Sequence, residues 1–572
     1  MSPRRRRLSH AAPLLALLAI VAVAAWLRFW ALGFGLPHPL ARPDEKEILE
    51  PTLRFARGEL NPQYHVYPGL YLYSVWLWGE AGLRVRGFFA PTPPYPTAVQ
   101  KDIAGLPGGT GGDVLRIGRA LSALAGTLTV LAVYLVARPR AGPSTGLVAA
   151  ALLATCFLHV RDSHALKAEA LLTLAMVPAL AACARVAEQP TARRAASAGV
   201  WIGIATGMKQ PGSLLLVPLY AAGVLGSRGS GWRRFFPAVV VLGALVAVAV
   251  FVATGPYLVL DWGFVWKQMG PSVGTVLAPE GGAAQPRAFP YHVTVSLRHG
   301  AGLAFALLVL PAVAYGFVGA EPLFFLGALF SLLWFFVIGV SPVHHVRYLT
   351  PILPVLCLLV ARLLVRAARP LGRAAVPALA VATVAIAAEP FAASVAHDRI
   401  LAETDTRVLA ARWLADHARA GDEVAVLGTM TFWGTGYGVP VMPPGVRRRD
   451  LHGDDRDVGG ARFVLTHEHQ LPFSRVDPAA FEAIRPRLAL VAEFSPYSGS
   501  EPGGWFEDAD GYYAPFKDFA GVARPGPLIR IYSVAPASAG AAPGAAEGGT
   551  AVRPGSTSTT PSADASGGPP PS

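Results

Sequence analysis

Charge is scarce in this sequence. Only 15% of its 572 residues are Asp, Glu, Lys or Arg, against about a quarter in ordinary soluble domains. With 53% hydrophobic residues and a mean hydropathy of +0.43, that deficit excludes a soluble or largely disordered chain. Cysteine is nearly absent. Cys156, Cys183 and Cys357 all lie inside apolar runs, so neither a disulfide framework nor a cysteine metal site is expected. Acid is the scarcer sign, with 36 Asp and Glu against 49 Lys and Arg and a net charge of +13. A basic excess is also a nucleic-acid signature. Here the arginines fall in short loops between apolar runs, where they read as topology signals.

Apolar runs of about 18 residues or more recur along the chain, the signature of membrane-spanning helices. Spans are expected near 11–34, 117–137, 143–160, 166–186, 195–208, 212–226, 236–255, 300–318, 322–340, 349–366 and 374–392. The first follows "RRRR" at 4–7 but is long for a signal-peptide core, and no small-residue cleavage site follows it. It reads as an uncleaved helix after a basic cytoplasmic N-terminus, residues 1–10. This makes a polytopic α-helical membrane protein with about 11 transmembrane helices over residues 11–392. The positive-inside rule supports the layout. Arg138, Arg140, Arg185, Arg193, Arg194, Arg228, Arg233, Arg234, Arg362, Arg366, Arg369 and Arg373 all fall in loops or at span ends on the N-terminal side of the membrane.

The first outer loop, 35–116, is long enough to escape that rule. Within it, "PGLYLYSVWLWGEAGL" (68–83) is apolar and rich in Tyr and Trp. As a span it would invert the arginine bias of every later loop, so it reads as a helix lying in the interface. Residues 393–537 read as a C-terminal extracytoplasmic α/β domain. "DTRVLAARWLADHARAG" (405–421) has helical periodicity, and "EVAVLG", "RFVLT", "LALVAEF" and "LIRIYSV" have strand character. Residues 538–572 are Ala, Gly, Pro, Ser and Thr with almost no bulky apolar residue, and are expected to be a disordered tail.

On this topology, four sequence-distant polar clusters share the outer face. They are Asp44 and Glu45 in "RPDEKEILE", "RDSHALKAE" (161–169), Lys209 in "GIATGMKQPG", and His344, His345 and Arg347 in "SPVHHVRY". Singly, each has an ordinary explanation, because charged residues at span ends serve as interfacial anchors and Asp44–Glu45 could be a solvated loop pair. His344 and His345 are poorly placed to share a metal, since neighbouring residues on a helix do not share a face. "HEH" at 467–469 lacks the HExxH spacing and reads as surface decoration. Glu169 is harder to dismiss. An acid inside the bilayer costs about 2.5–3.5 kcal/mol on insertion scales, so it should face a polar cavity.

Together the clusters suit one chemistry. A sugar linked through phosphate to a membrane lipid carries its leaving group already activated. Cations must stabilise the growing phosphate charge, and one carboxylate must take the acceptor's proton. Asp44, with Glu45 beside it, is the expected catalytic acid pair. Lys209 and Arg347 are expected at the donor phosphate. Arg161, His164, Glu169, His344 and His345 are expected substrate contacts. No convincing metal-ligand set is present.

These segments also resemble a known family. "RPDEKEILEPTLRFARGELNPQYHVYPGLYLY" is similar to the Asp-Glu pair, Gly and "lnP…yP" pattern of the GT-C superfamily of polyprenyl-phosphate-dependent glycosyltransferases. The likeness is to the bacterial relatives of the protein O-mannosyltransferases (glycosyltransferase family 39) and of the lipid A aminoarabinose transferase. "HVRDSHALKAEALLTL" resembles the second motif, with Glu169 where the family commonly has Asp. "GIATGMKQPGSLLLVPL" and "HHVRYLTPILPVLCLLVA" resemble the segments that give Lys209, and Arg347 with Tyr348. The resemblance spans roughly residues 10–395. It implies a GT-C-like fold, Asp44 as catalytic base, a polyprenyl-phosphate-sugar donor, an extracytoplasmic acceptor (protein, lipid or glycan), and no cofactor, with a divalent metal left open. The Ala-, Gly- and Arg-rich composition points to a high-GC bacterium, and so to the plasma membrane with the C-terminal domain outside. A lipid-linked-sugar flippase or transporter, or a polysaccharide polymerase or ligase, is the competing reading. No internal repeat supports the transporter, and in a polymerase the key loop would lie between later spans.

Overall fold

The structure is a computed structural model that describes residues 3–105, 112–227, 231–235, 237–268, 288–319, 321–428, 436–451 and 457–535. The tail expected to be disordered lies outside these residues. Ten helices lead into the site: α1 (Pro3–Phe29), α2 (Pro43–Ala56), α3 (Gly69–Gly87), α4 (Tyr95–Ala104), α5 (Asp113–Thr155), α6 (Phe157–Asp162), α7 (Ala168–Glu188), α8 (Ala192–Met208), α9 (Leu216–Gly226) and α10 (Ala238–Thr254). Further helices follow at Leu303–Val318, Pro322–Val340, Leu353–Ala368 and Ala375–Ala402.

All eleven segments expected to span are helical. Among the described residues, five helices are both long and apolar enough to cross a membrane, six if the bent pair Phe289–Ala301 and Leu303–Val318 counts as one. The chain is therefore a multi-pass membrane protein, with a smaller count of self-evident spans than eleven. The segments around 195–208, 212–226 and 236–255 form helices too short to qualify alone. The second and third expected spans run together as α5, bent at Gly142, whose φ of 84° suits glycine. Apolar side chains such as Leu245, Val248, Leu307, Leu310, Val381 and Val384 are exposed on the helices, as lipid contact requires.

Small residues set the packing next to the site. α8 lies against α10, and a Cβ on Gly199 or Gly203 would collide with the backbone of Gly243 or Ala247. Spaced four apart, these glycines let two backbones meet as in membrane helix pairs, and they fix where α8 ends at Lys209. α7 is buried along most of its length between α5, α8 and α9.

The segment expected as the first outer loop contains three helices among its described residues. α3 coincides with the aromatic segment 68–83 and buries one face (Tyr71, Leu72, Val75, Leu83) against α2 and α5. α2 and α4, where a loop was expected, add two further amphipathic helices.

The C-terminal region carries a five-stranded mixed sheet: β1 (Glu423–Leu427), β2 (Arg447–Asp450), β3 (Phe463–Glu468), β4 (Leu488–Phe494) and β5 (Leu528–Val534), in the order β2-β1-β3-β5-β4. β1 pairs in parallel with β2 and β3, whereas β5 runs antiparallel to β3 and β4. Four of the strands and the helix Thr406–His417 match the sequence expectation. β2, "RRRD", was not foreseeable, because its charges hide strand character. "HEH" is not surface decoration. It lies at the end of the central strand β3, with His467 fully buried and bonded to Ser474 at 3.0 Å.

Candidate active site

Helix ends place the charges. α2 starts with Arg42 extended and Pro43 at its first position, leaving Asp44 and Glu45 in the first turn. α7 starts after an extended Lys167, with Glu169 in its first turn. α8 ends at Lys209. Carboxylates thus sit at helix N-termini and a lysine at a helix C-terminus, each matching the sign of the helix dipole. Arg347 comes from a short 3₁₀ segment of about two turns, Val346–Ile352.

These elements converge on one ion-paired cluster. Asp44 Oδ2 lies 3.2 Å from Lys167 Nζ and 3.9 Å from Arg347 Nη2. Glu169 Oε1 accepts from Lys209 Nζ at 2.5 Å and lies 3.5 Å from Arg347 Nε. Arg347 Nη1 donates to Asp510 Oδ1 at 2.6 Å. Lys167 Nζ reaches the same oxygen at 3.4 Å. Arg161 Nη1 lies 3.2 Å from Asp510 Oδ2 and 3.0 Å from Asp162 Oδ1, and Arg42 lies 3.6 Å from Asp510. The Tyr512 ring faces Arg42 at 4.4 Å and Lys167 at 5.3 Å.

Exposure divides the cluster. Side chains of Asp44, Lys209 and Arg347 are 24%, 22% and 14% exposed, whereas those of Asp510 and Arg161 are at 0% and 1%. Burial alone would raise the Asp44 carboxyl, but Lys167 and Arg347 outweigh it and hold it at about 2. Burial acts on Asp510 in the same sense. There Lys167, Arg347, Arg161 and Arg42 win, keeping it ionised well below the ordinary range. Lys167 stays protonated because Asp510 and Asp44 outweigh both burial and the neighbouring Arg347.

A cavity of about 630 Å³ opens onto this cluster. Most of its wall is apolar, including Leu172, Leu214, Trp334, Val337 and Ile338, while Glu169, Lys209, Arg347 and Tyr348 supply polar groups. Glu169 Oε2 is buried with no hydrogen-bond partner among the described residues.

The residues expected from sequence separate here. Asp44, Arg161, Glu169, Lys209 and Arg347 meet in the cluster, and Tyr348 adjoins it. His345 packs edge-on against Tyr348 at 5.1 Å, and His344 lies tilted over Tyr291 at 4.9 Å. Glu45 faces elsewhere: fully buried, it takes Arg119 in a two-pronged pair at 2.8 and 2.7 Å and accepts the Leu166 amide at 2.9 Å. His164 also lies apart, bonded to the Val160 and Trp30 carbonyls and 3.3 Å from Asp398. Burial pushes its pKa down to about 4, while the two carbonyls pull in the other direction. Lys167, Arg42 and Asp510 were not singled out from sequence. Lys167 could have been, two residues before Glu169. Asp510, in "FEDADGYY", had only the neighbouring acids to mark it.

Fold and cluster together define a multi-pass membrane protein with a charged centre at one end of an apolar cavity. Comparison with known proteins adds a family. Residues 93–254 match the sequence model of the dolichyl-phosphate-mannose-protein mannosyltransferases. The resemblance carried by the motifs is thus borne out over a segment that includes Arg161, Lys167, Glu169 and Lys209. No curated protein matches the chain. Among solved structures it is similar to ArnT from Cupriavidus metallidurans in the apo state, with 14% identity and a TM-score of 0.49 over 90% of this chain and 97% of that one. It is also similar to the archaeal oligosaccharyltransferase AglB from Archaeoglobus fulgidus in complex with an inhibitory peptide and a dolichol-phosphate (13%, 0.47, 85% and 74%). A third is the S. cerevisiae protein O-mannosyltransferase Pmt1–Pmt2 complex bound to the sugar donor (16%, 0.30, 44% and 34%). At such identities and scores these likenesses say nothing about chemistry.

Proposed function

We propose that the protein is an integral-membrane glycosyltransferase that moves a sugar from a polyprenyl-phosphate donor to a hydroxyl of an extracytoplasmic acceptor. The observation that carries this reading is the apolar cavity whose charged lining is Glu169, Lys209 and Arg347, with Tyr348, Gln210 and Ser341 as its neutral polar groups. A lipid phosphate has that polarity: a long apolar tail and one anionic head. Arg347 and Lys209 hold the phosphate, and Asp44, on the far side of Arg347, faces the acceptor. The acceptor oxygen attacks the anomeric carbon as Asp44 takes its proton. The sugar–phosphate C–O bond breaks with its electron pair passing to the phosphate oxygen, whose charge Arg347 and Lys209 stabilise. Attack opposite the leaving phosphate inverts the anomeric centre, and polyprenyl phosphate is released. Glu169 orients Lys209 and Arg347, and its second oxygen accepts from a sugar hydroxyl. The family match over residues 93–254 supports the same reading. The Glu45–Arg119 pair anchors α2 and so serves Asp44 indirectly.

The test uses purified protein in lipid with a panel of labelled polyprenyl-phosphate sugars, wild type against Asp44→Asn. Sugar release or transfer by wild type that disappears in the variant is the expected result. Substantial turnover in Asp44→Asn would overturn the base assignment. Wild type that neither binds nor consumes any donor would overturn the reaction class.

A further inference from the structure

The deepest member of the cluster comes from the C-terminal region. Asp510 precedes the final strand by fewer than twenty residues in the chain, yet its carboxylate lies fully buried among Arg42, Arg161, Lys167 and Arg347. It does not line the apolar cavity, and neither does Lys167. Asp510 therefore holds Arg347 from outside the cavity wall.

The geometry of Arg347 shows what that does. Its three nitrogens face three carboxylates: Nη1 to Asp510, Nε to Glu169, Nη2 to Asp44. A guanidinium is a rigid planar fork, so pinning one edge orients the others. Asp510 is itself pinned. Its amide donates to the Glu507 carboxylate, which also accepts the Tyr291 hydroxyl at 2.8 Å, and its carbonyl accepts from Arg161 and Arg42. A Cβ at Gly511 would collide with the Glu507 backbone, so the turn is tight. The charges point the same way. Five cations (Arg42, Arg161, Lys167, Lys209, Arg347) are ion-paired with four carboxylates (Asp44, Asp162, Glu169, Asp510). Counting the Glu507 carboxylate beside them, five acids face five cations, and four of those cations share Asp510.

We infer that Asp510 is a positioning residue of the transfer site: it fixes Arg347 and Lys167 so that their remaining donors face Glu169, Asp44 and the donor phosphate. The C-terminal region is then part of the active site rather than a separable acceptor module. This inference rests on the glycosyltransferase reading.

The test compares wild type, Asp510→Asn and the charge-balanced double variant Arg42→Gln/Asp510→Asn, each as full chain in lipid. Two quantities are read: binding of undecaprenyl phosphate and turnover of the active labelled donor. Losing the carboxylate leaves the cluster more positive, so Asp510→Asn should bind undecaprenyl phosphate at least as tightly as wild type. Its turnover should fall by about 100-fold, the scale of a misplaced catalytic group. The double variant removes the surplus charge but not the misplacement, so it should stay slow. Wild-type turnover in either variant overturns the positioning role and leaves the glycosyltransferase reading standing. Faster turnover would mean that Asp510 obstructs the site, which also overturns it. Loss of binding together with turnover in both variants would show a scaffold role only. Wild type that binds no polyprenyl phosphate and transfers nothing overturns both readings.

Discussion

Asp44 and Glu45 are adjacent in the chain and face apart. Asp44 meets Lys167 and Arg347 with a quarter of its side chain exposed, whereas Glu45 is buried against Arg119. Successive residues on a helix point about 100° apart, so only one of the pair can face Lys167 and Arg347. The other is left to anchor the helix.

That division predicts opposite phenotypes. Glu45→Gln or Arg119→Met leaves one buried charge without its partner, which costs about 3–5 kcal/mol. Both variants should show a clearly lowered thermal unfolding midpoint in detergent and a poor yield. Asp44→Asn should unfold within a few degrees of wild type. Equal destabilisation by both substitutions would contradict the division of roles.

The two cavity cations should report on the donor. A hydrogen bond to a charged partner contributes about 1.5–3 kcal/mol, so Lys209→Ala and Arg347→Ala should each weaken undecaprenyl phosphate binding by roughly 10- to 100-fold. Arg347→Ala should also slow turnover more than Lys209→Ala does, because only Arg347 touches Asp44 as well. Titration of each variant with the lipid phosphate checks this. Unchanged affinity in both would remove the phosphate from this end of the cavity.

The Asp44 carboxyl sets a pH pattern. Its value of about 2 lies below the ordinary 3.8, so the stability it contributes is complete above about pH 4 and is lost as the pH falls through about 2. In the free enzyme the base is already ionised, so kcat/KM should show no acid limb from Asp44 between roughly pH 5 and 8. Donor phosphate brings a negative charge to Arg347 and raises Asp44 in the complex. The acid limb of kcat should therefore lie at higher pH than the acid limb of kcat/KM. The reverse order would show that the titrating base is another group.

Much of this was legible in the sequence, for identifiable reasons. Length and hydropathy mark helices in lipid, so all eleven expected segments are helical. Glu169 stood out because an acid in an apolar run is costly. Asp44, Lys209 and Arg347 were marked by where they fall relative to span ends. Convergence was the harder part. Lys167 looked like one more loop cation, and nothing local tells Asp510 from Asp508 two residues earlier. Its role arises from long-range contact with Arg161, Lys167 and Arg347, which no local pattern encodes. α2 and α4 were hidden because short amphipathic helices in a Pro-rich loop carry little periodic signal. His467 was misjudged because a central strand buries both of its faces.

The apolar cavity gives a prediction that does not depend on the charges. Val337 lines it and is 39% exposed, so Val337→Trp fills space without touching Lys209, Arg347 or Asp44. A filled cavity should exclude a long isoprenoid tail and spare the phosphate. KM should rise by about tenfold or more for an undecaprenyl donor, the scale of losing a few buried methylenes at about 0.8 kcal/mol each, and change little for a donor of two or three isoprene units. kcat at saturation should stay near wild type for both. Competition between long and short donors on the two proteins measures this directly. An equal penalty for both lengths would mean that the tail runs elsewhere and that the cavity binds only the head.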